Sequence, residues 1–253
     1  MKPTRENFTA SDGTNLAVHH MGEGRPLLLL HGLFSSAHMN WIRFGHAEKL
    51  ANAGYHVIMP DFRVHGQSDG PQDETAYPEN ILLHDMLALI DQNGWSDFDL
   101  GGFSLGSRMA AQLLTRGITP KRALLMGIGW DGIGSWGGRL QFFIDAIDKR
   151  DSATENDPHF MAVNFMKSQK IDPVAARLLL KSFGTSSIST LTSLDIPIGV
   201  ICGAQDKDNG SGEELSDKLA NAEYLEIPGT HMSCVTKGDM GDAMLEFLGP
   251  ARS

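Results

Sequence analysis

The apolar positions of this chain alternate between two periods, and the alternation itself predicts the architecture. Asn15–His20 reads as a strand following an Asp12-Gly13 hairpin turn. Leu27–Leu30 is a short continuous apolar run, the pattern of a strand buried on both faces. Trp41–Ala53 then carries helical spacing up to Gly54, and Tyr55–Met59 is a further strand stopped by Pro60. Glu79–Asn93 reads as an amphipathic helix capped by Gly94. Phe98–Gly101 and Ser107–Leu114 read as the next strand and helix. Arg122–Met126, Ile198–Cys202 and Tyr224–Ile227 are strands, and Met240–Leu248 closes as a helix. Strands that alternate with helices in this way imply a mostly parallel sheet covered on both faces.

One stretch breaks the alternation. Between Trp130 and Ser187 there are helical segments at Leu140–Lys149, Phe160–Lys167 and Pro173–Ser182, and no strand. This predicts an inserted helical cap over 130–187, on a core made of 1–129 and 188–253. Trp136, Phe142, Phe143, Phe160, Met161, Phe165 and Met166 make the insertion rich in large apolar side chains. Most are expected to pack the cap onto the body. Phe34, Trp130, Phe142 and Met232 are the expected lining of a substrate pocket beneath it.

Composition narrows the class of function. The chain has 253 residues and a formal net charge of −10, so a nucleic-acid footprint is not expected. The start lacks an apolar run, and the longest such run, Pro26–Leu30, is too short to span a bilayer. Two cysteines, Cys202 and Cys234, make no disulfide framework, so the expected setting is the cytoplasm. There is no H-E-x-x-H and no paired C-x-x-C, hence no metal and no cofactor is expected.

The candidate chemistry sits in Gly102-Phe103-Ser104-Leu105-Gly106, a match to the G-x-S-x-G nucleophile elbow. In a chain with 28 glycines the match alone decides little, but a strand precedes it and a helix follows it. A serine hydroxyl also needs a base and a group to orient that base. His231 lies just past the last strand, where an open α/β sheet places its site. The loop after the preceding strand offers Asp206, with Asp208 two residues on as the alternative acid. Oxyanion donors are expected from the N–H of Leu105 and the N–H of Leu33, with Phe34 as the fallback for the second. Gly127-Ile128-Gly129-Trp130-Asp131-Gly132 has dinucleotide-motif spacing, but further glycines follow where a helix must open. It reads as a flexible hinge into the cap. The remaining histidines read as surface or structural residues.

Taken in order, His31-Gly32, Asp61-Phe62-Arg63-Val64-His65-Gly66-Gln67-Ser68, the elbow, Gly203-x-x-Asp206 and His231 resemble the α/β-hydrolase superfamily. The similarity is greatest to its small capped bacterial carboxylesterases and covers nearly the whole chain, least specifically in the cap. It implies Ser104 as nucleophile, Asp206 as acid, His231 as base, and Leu33 and Leu105 as oxyanion donors. Val64 stands where that family usually has glycine. A serine nucleophile argues against the dehalogenase and epoxide-hydrolase branches, which use aspartate. The expected activity is hydrolysis of a small-molecule carboxylic ester or thioester through an acyl-enzyme. Carbon–carbon or amide hydrolysis by the same triad is the alternative within the fold. A non-catalytic protein that binds a small ligand is the alternative outside it.

Overall fold

The computed structural model describes residues 1–184 and 189–251. Eight strands form one sheet: β1 (Thr4–Thr9), β2 (Asn15–Met21), β3 (Arg25–Leu30), β4 (Tyr55–Pro60), β5 (Asp99–Phe103), β6 (Ala123–Met126), β7 (Ile198–Gly203) and β8 (Ala222–Ile227). Their spatial order is β1-β2-β4-β3-β5-β6-β7-β8. The two pairings of β2 are antiparallel and all others are parallel.

The two-residue period of the strands divides the core in two. Leu28, Leu30, Ile58, Ala123 and Leu125 point to one apolar cluster, and Leu27, Leu29, Val57, Met59, Leu124 and Met126 point to the other. The first cluster packs under α2 (Ile81–Asn93) and α3 (Leu105–Thr115). The second packs under α1 (His46–Asn52) and α10 (Gly238–Leu248). Leu27–Leu30 are all fully buried, as a continuous apolar run in a doubly covered strand requires.

The single helix expected over Trp41–Ala53 is instead two pieces. A π-helical turn spans His38–Ile42, and Arg43 N–H closes it on the His38 carbonyl. Gly45 then takes a left-handed conformation, φ +81°, and α1 starts after it.

Helices α4 (Trp130–Gly134), α5 (Arg139–Asp148), α6 (Phe160–Ser168) and α7 (Pro173–Lys181) follow β6 and precede β7. Their buried residues, among them Ile133, Ala146, Val163, Met166 and Leu179, join the same cluster as α2 and α3. The C-terminal boundary expected at residues 187 and 188 lies outside the described residues.

The glycines expected to form a flexible hinge do something else. Gly127 turns left-handed, and α4 opens directly after Gly129. The N–H groups of Gly129 and Gly132 both donate to the Asn209 carbonyl, at 3.0 and 2.9 Å, and Trp130 N–H donates to that of Ser211. A Cβ on Gly129 would lie 2.3 Å from the Gly210 backbone. The glycines therefore press the start of α4 against the loop after β7. The amides that would face a dinucleotide phosphate are already spent on carbonyls.

Candidate active site

The elbow is built by close approach of backbone. Ser104 joins β5 to α3 at φ 55°, ψ −108°, a conformation that costs a non-glycine residue energy. A Cβ on Gly102 would sit 2.2 Å from the Gly106 carbonyl group, and one on Gly106 would sit 2.0 Å from the Leu30 oxygen. Both glycines let α3 start against β3 and β5, with Ser104 lifted at the carboxyl end of the sheet. Ser104 N–H is tied to the Met126 carbonyl at 2.8 Å.

His231 begins the short helix α9 (His231–Cys234), which the apolar pattern did not signal because it is one turn long. Thr230 caps it, and Thr230 and Ser233 exchange hydrogen bonds as a capping box. The imidazole is mostly buried and stacks on Phe103 with centroids 5.0 Å apart. Its Nε2 lies 3.1 Å from Ser104 Oγ, and its Nδ1 lies 2.7 Å from Asp206 Oδ2. The other carboxylate oxygen of Asp206 accepts from Asp208 N–H at 3.1 Å. Asp206, not Asp208, thus faces the imidazole, and exposed Asp208 supplies an amide. The loops bearing Asp206 and His231 are tied by Gln205 N–H to the Gly229 carbonyl, 2.9 Å, and by Gly229 N–H to Gln205 Oε1, 3.2 Å. Asp206, Asp208 and His231 also present ligand atoms within 4.8 Å of one another. The short Asp206–His231 hydrogen bond already occupies the ring nitrogen that a cation would need.

The loop after β3 shows how the Leu33 amide is left over. Gly32 N–H donates to Asn40 Oδ1 at 2.8 Å, and Ser35 N–H to the Gly32 carbonyl at 3.2 Å. Phe34, at φ +57°, donates its N–H to His65 Nε2 at 2.9 Å. Ala37 N–H donates to Asp61 Oδ1 at 2.7 Å. Leu33 N–H has no such partner among the described residues, and neither has Leu105 N–H, which as the first residue of α3 has no acceptor within its helix. Phe34 is thereby removed as a free donor.

The groups that hold this loop are buried histidines and an aspartate. His65 Nδ1–H donates to the Arg63 carbonyl at 2.9 Å, which leaves Nε2 as the acceptor for Phe34. Burial, helped by neighbouring His31, pushes His65 down to about 3, so it is neutral at any ordinary pH. His31 is lowered by burial as well. It donates from Nδ1 to the Gly32 carbonyl at 2.8 Å and accepts Phe62 N–H at Nε2, 3.0 Å. Burial opposes ionisation of Asp61, but hydrogen bonds from His19, Gln67 and Ala37 hold it below the usual carboxylate range. Val64, the residue that departs from glycine, sits at φ +74° and is buried, so a β-branched side chain occupies a left-handed position. The sequence pattern gave these residues no role, because backbone amides leave no trace in residue type.

Of the expected pocket residues, Phe34 and Phe142 both pack against Phe143, the latter with centroids 5.4 Å apart. Phe34 is buried edge-on to Phe143, with centroids 5.6 Å apart. Phe142 stacks on His159 at 4.7 Å, and Trp130 packs beneath Lys218 Nζ at 4.8 Å. Met232 is exposed beside His231.

The topology, the elbow and the order of Ser104, Asp206 and His231 can now be set beside known proteins. The family profile described as alpha/beta hydrolase fold matches residues 25–124. An esterase from Exiguobacterium antarcticum superposes with a TM-score of 0.75 at 18% identity, covering 97% of this chain and 99% of that one. This protein has the α/β-hydrolase fold. Within that fold, epoxide hydrolase 2 of Siraitia grosvenorii is 30% identical over 113 residues, 44% of this chain and 34% of the relative. The chain thus matches about a third of the length of that curated relative. The putative 2-succinyl-6-hydroxy-2,4-cyclohexadiene-1-carboxylate synthase of Bacillus subtilis is 25% identical, over 87% of this chain and 89% of the relative. Among the described residues of this α/β-hydrolase-fold chain, no helix is long and apolar enough to cross a membrane.

Proposed function

We propose that this protein is a serine hydrolase that cleaves a carboxylic ester or thioester, with α4–α7 as the cap over its site. The observation that carries the reading is the relay in which His231 lies 3.1 Å from Ser104 Oγ and 2.7 Å from Asp206. Ser104 Oγ attacks the carbonyl carbon while His231 Nε2 takes its proton. Asp206 accepts from Nδ1–H, holds the tautomer and stabilises the imidazolium. The N–H groups of Leu33 and Leu105 bind the oxyanion. His231 returns the proton to the leaving alcohol or thiol. Water, deprotonated by His231, then cleaves the acyl-enzyme, releases the acid and restores Ser104. No cofactor enters these steps.

Epoxide hydrolysis is the second reading, raised by the Siraitia relative. A serine that opens an epoxide forms an alkyl ether, which activated water does not cleave as it cleaves an ester. The residue at the elbow is Ser104, so the ester reading is favoured.

The test is hydrolysis of short-chain p-nitrophenyl esters, with labelling by a fluorophosphonate. Wild type is expected to turn over and to be labelled, and Ser104→Ala to lose at least about 10⁴-fold in kcat and all labelling. Equal rates in the two proteins overturn the mechanism. Saturable ligand binding without turnover or labelling points to the binding-protein alternative.

A further inference from the structure

A cavity of about 280 Å³ lies where α3 meets the root of the insertion, lined by Arg108, Gln112, Ile133, Trp136, Leu140 and Phe183 among others. That is just below the usual range of small-ligand sites, ~300–1,000 Å³. Most of its wall is apolar, and Trp136 and Phe183 stack with centroids 4.7 Å apart. Arg108, Gln112 and Ser135 interrupt it, and the first two each carry a polar atom left unsatisfied among the described residues.

Arg108 is only 3% exposed. Its Nη1 donates to the Ser135 carbonyl at 2.7 Å, and its guanidinium lies 4.3 Å from the Trp136 ring centroid. Among the described residues its Nη2 is buried without a hydrogen-bond partner, and so is Oε1 of Gln112, itself 8% exposed. The contrast with other arginines is sharp. Arg63 is fully buried and holds Asp85 and Asp12, while Arg25 and Arg122 share Asp99. Arg108 forms no ion pair among the described residues. Burial and the like charge of Arg139 lower it to about 10, so it still carries its charge at neutral pH. An uncompensated buried charge is costly, and folded proteins rarely leave one without a partner.

Position ties the cavity to Ser104. Arg108 N–H donates to the Ser104 carbonyl at 3.1 Å, and Gln112 is one turn further along α3. Residues 104, 108 and 112 therefore run down one helix face, spaced by ~6 Å per four residues. Helical side chains lean toward the helix N-terminus, which here is the Ser104 end. The Gln112 amide presents NH₂ in place of oxygen when turned over.

We propose that this cavity binds a carboxylate carried by the substrate, with Arg108 as its counter-ion and Gln112 as a second donor, so that the ester cleaved is a monoester of a short dicarboxylic acid. The proposal rests on Ser104 as the nucleophile of an ester hydrolase. It does not need that step for its test. Binding is read by calorimetry in Ser104→Ala, with monomethyl glutarate against dimethyl glutarate. The charged monoester is expected to bind about ten- to a hundredfold more tightly. In Ser104→Ala with Arg108→Met the preference falls to within about threefold, and Arg108→Lys retains part of it, since lysine keeps the charge but not the planar fork. Equal binding of the two esters by Ser104→Ala overturns the proposal with no cavity variant needed. A preference that survives Arg108→Met in a protein with an unchanged melting transition overturns it too. Wild type that hydrolyses neither ester while Ser104→Ala keeps the preference removes the hydrolase reading and leaves the subsite. Ser104-dependent hydrolysis of both esters without a preference removes the subsite and leaves the hydrolase.

Discussion

In the loop after β3 at the carboxyl end of the sheet, side chains take up three backbone amides, whereas where α3 meets α4 two buried polar atoms have no partner among the described residues. On the sheet side, Asn40, His65 and Asp61 each accept a backbone N–H from the loop after β3, and the Leu33 amide has no partner among the described residues. On the insertion side, Arg108 Nη2 and Gln112 Oε1 face a cavity without a partner among the described residues. A matched region is rigid and suits chemistry that demands preorganised donors. An unmatched one awaits a partner and suits selection among substrates. On the proposed function and subsite, the difference teaches that reaction type and substrate choice are held by separate parts of one fold.

The largest effect that would sharpen this comparison comes from Gly106→Ala. The new Cβ would meet the Leu30 oxygen at 2.0 Å and its carbonyl carbon at 2.5 Å, both backbone of a central strand. Neither can swing aside as a flexible side chain would. The expected loss is at least ~3 kcal/mol of stability, read from the urea midpoint, together with a collapse of esterase rate. Gly138→Ala, at a position in the insertion with open space around it, is expected to change the midpoint by less than ~0.5 kcal/mol. Comparable losses in the two would erase the contrast between a tightly built sheet end and a looser insertion.

How far the sequence made this legible follows the same division. Leu27–Leu30 marked a doubly buried strand, and Ser104, Asp206 and His231 each followed a strand whose pattern was readable. Those signals are local, since period and turn chemistry lie within a few residues. The break at Gly45 and the one-turn helix at His231 escaped because each is shorter than the window that reveals periodicity. The packing of Gly129 and Gly132 on Asn209 and Gly210 escaped because it joins positions far apart in the chain. The role of His65 depends on which of its nitrogens faces Phe34 N–H, which composition does not encode. The cavity combines Arg108 with Trp136 and Phe183, so it exists only once the insertion is folded.

Acid should weaken the matched side by a predictable route. His65, His31 and His46 are all lowered from 6.5 by burial, His65 to about 3. Each is neutral in the fold but takes a proton near pH 6.5 once unfolded. Their stabilising contribution is therefore complete above about pH 7.5 and is lost as pH falls through 6.5, continuing for His65 down to about 3. Each such group costs ~1.4 kcal/mol per pH unit while only its unfolded form is charged. Urea midpoints at pH 8, 7.5 and 5 should be nearly level between the first two and clearly lower at the third. A flat profile to pH 5 would mean that these imidazoles are not sealed, and the loop that presents Leu33 would lose its claim to rigidity.

The smallest effect asks whether the two regions unfold together. Asp172 caps α7, accepting Ala175 N–H at 2.9 Å with Pro173 at the first helical position. Asp172→Ala is expected to remove about 1 kcal/mol, a fall of ~2–4 °C in Tm for a domain of this size. Because Ala175, Ala176, Leu179 and Leu180 of α7 belong to the same apolar cluster as Leu28 and Leu30 of β3, the loss should appear as one shifted transition. A second, earlier transition in calorimetry would show the insertion melting by itself and would break that unity. On the proposed function, the same substitution in the folded protein should act through substrate affinity and so appear in KM. No side chain of α7 bonds to Ser104, Asp206 or His231 among the described residues, so kcat should hold. A fall in kcat with KM unchanged would place part of the chemistry on the insertion and reverse the division of labour.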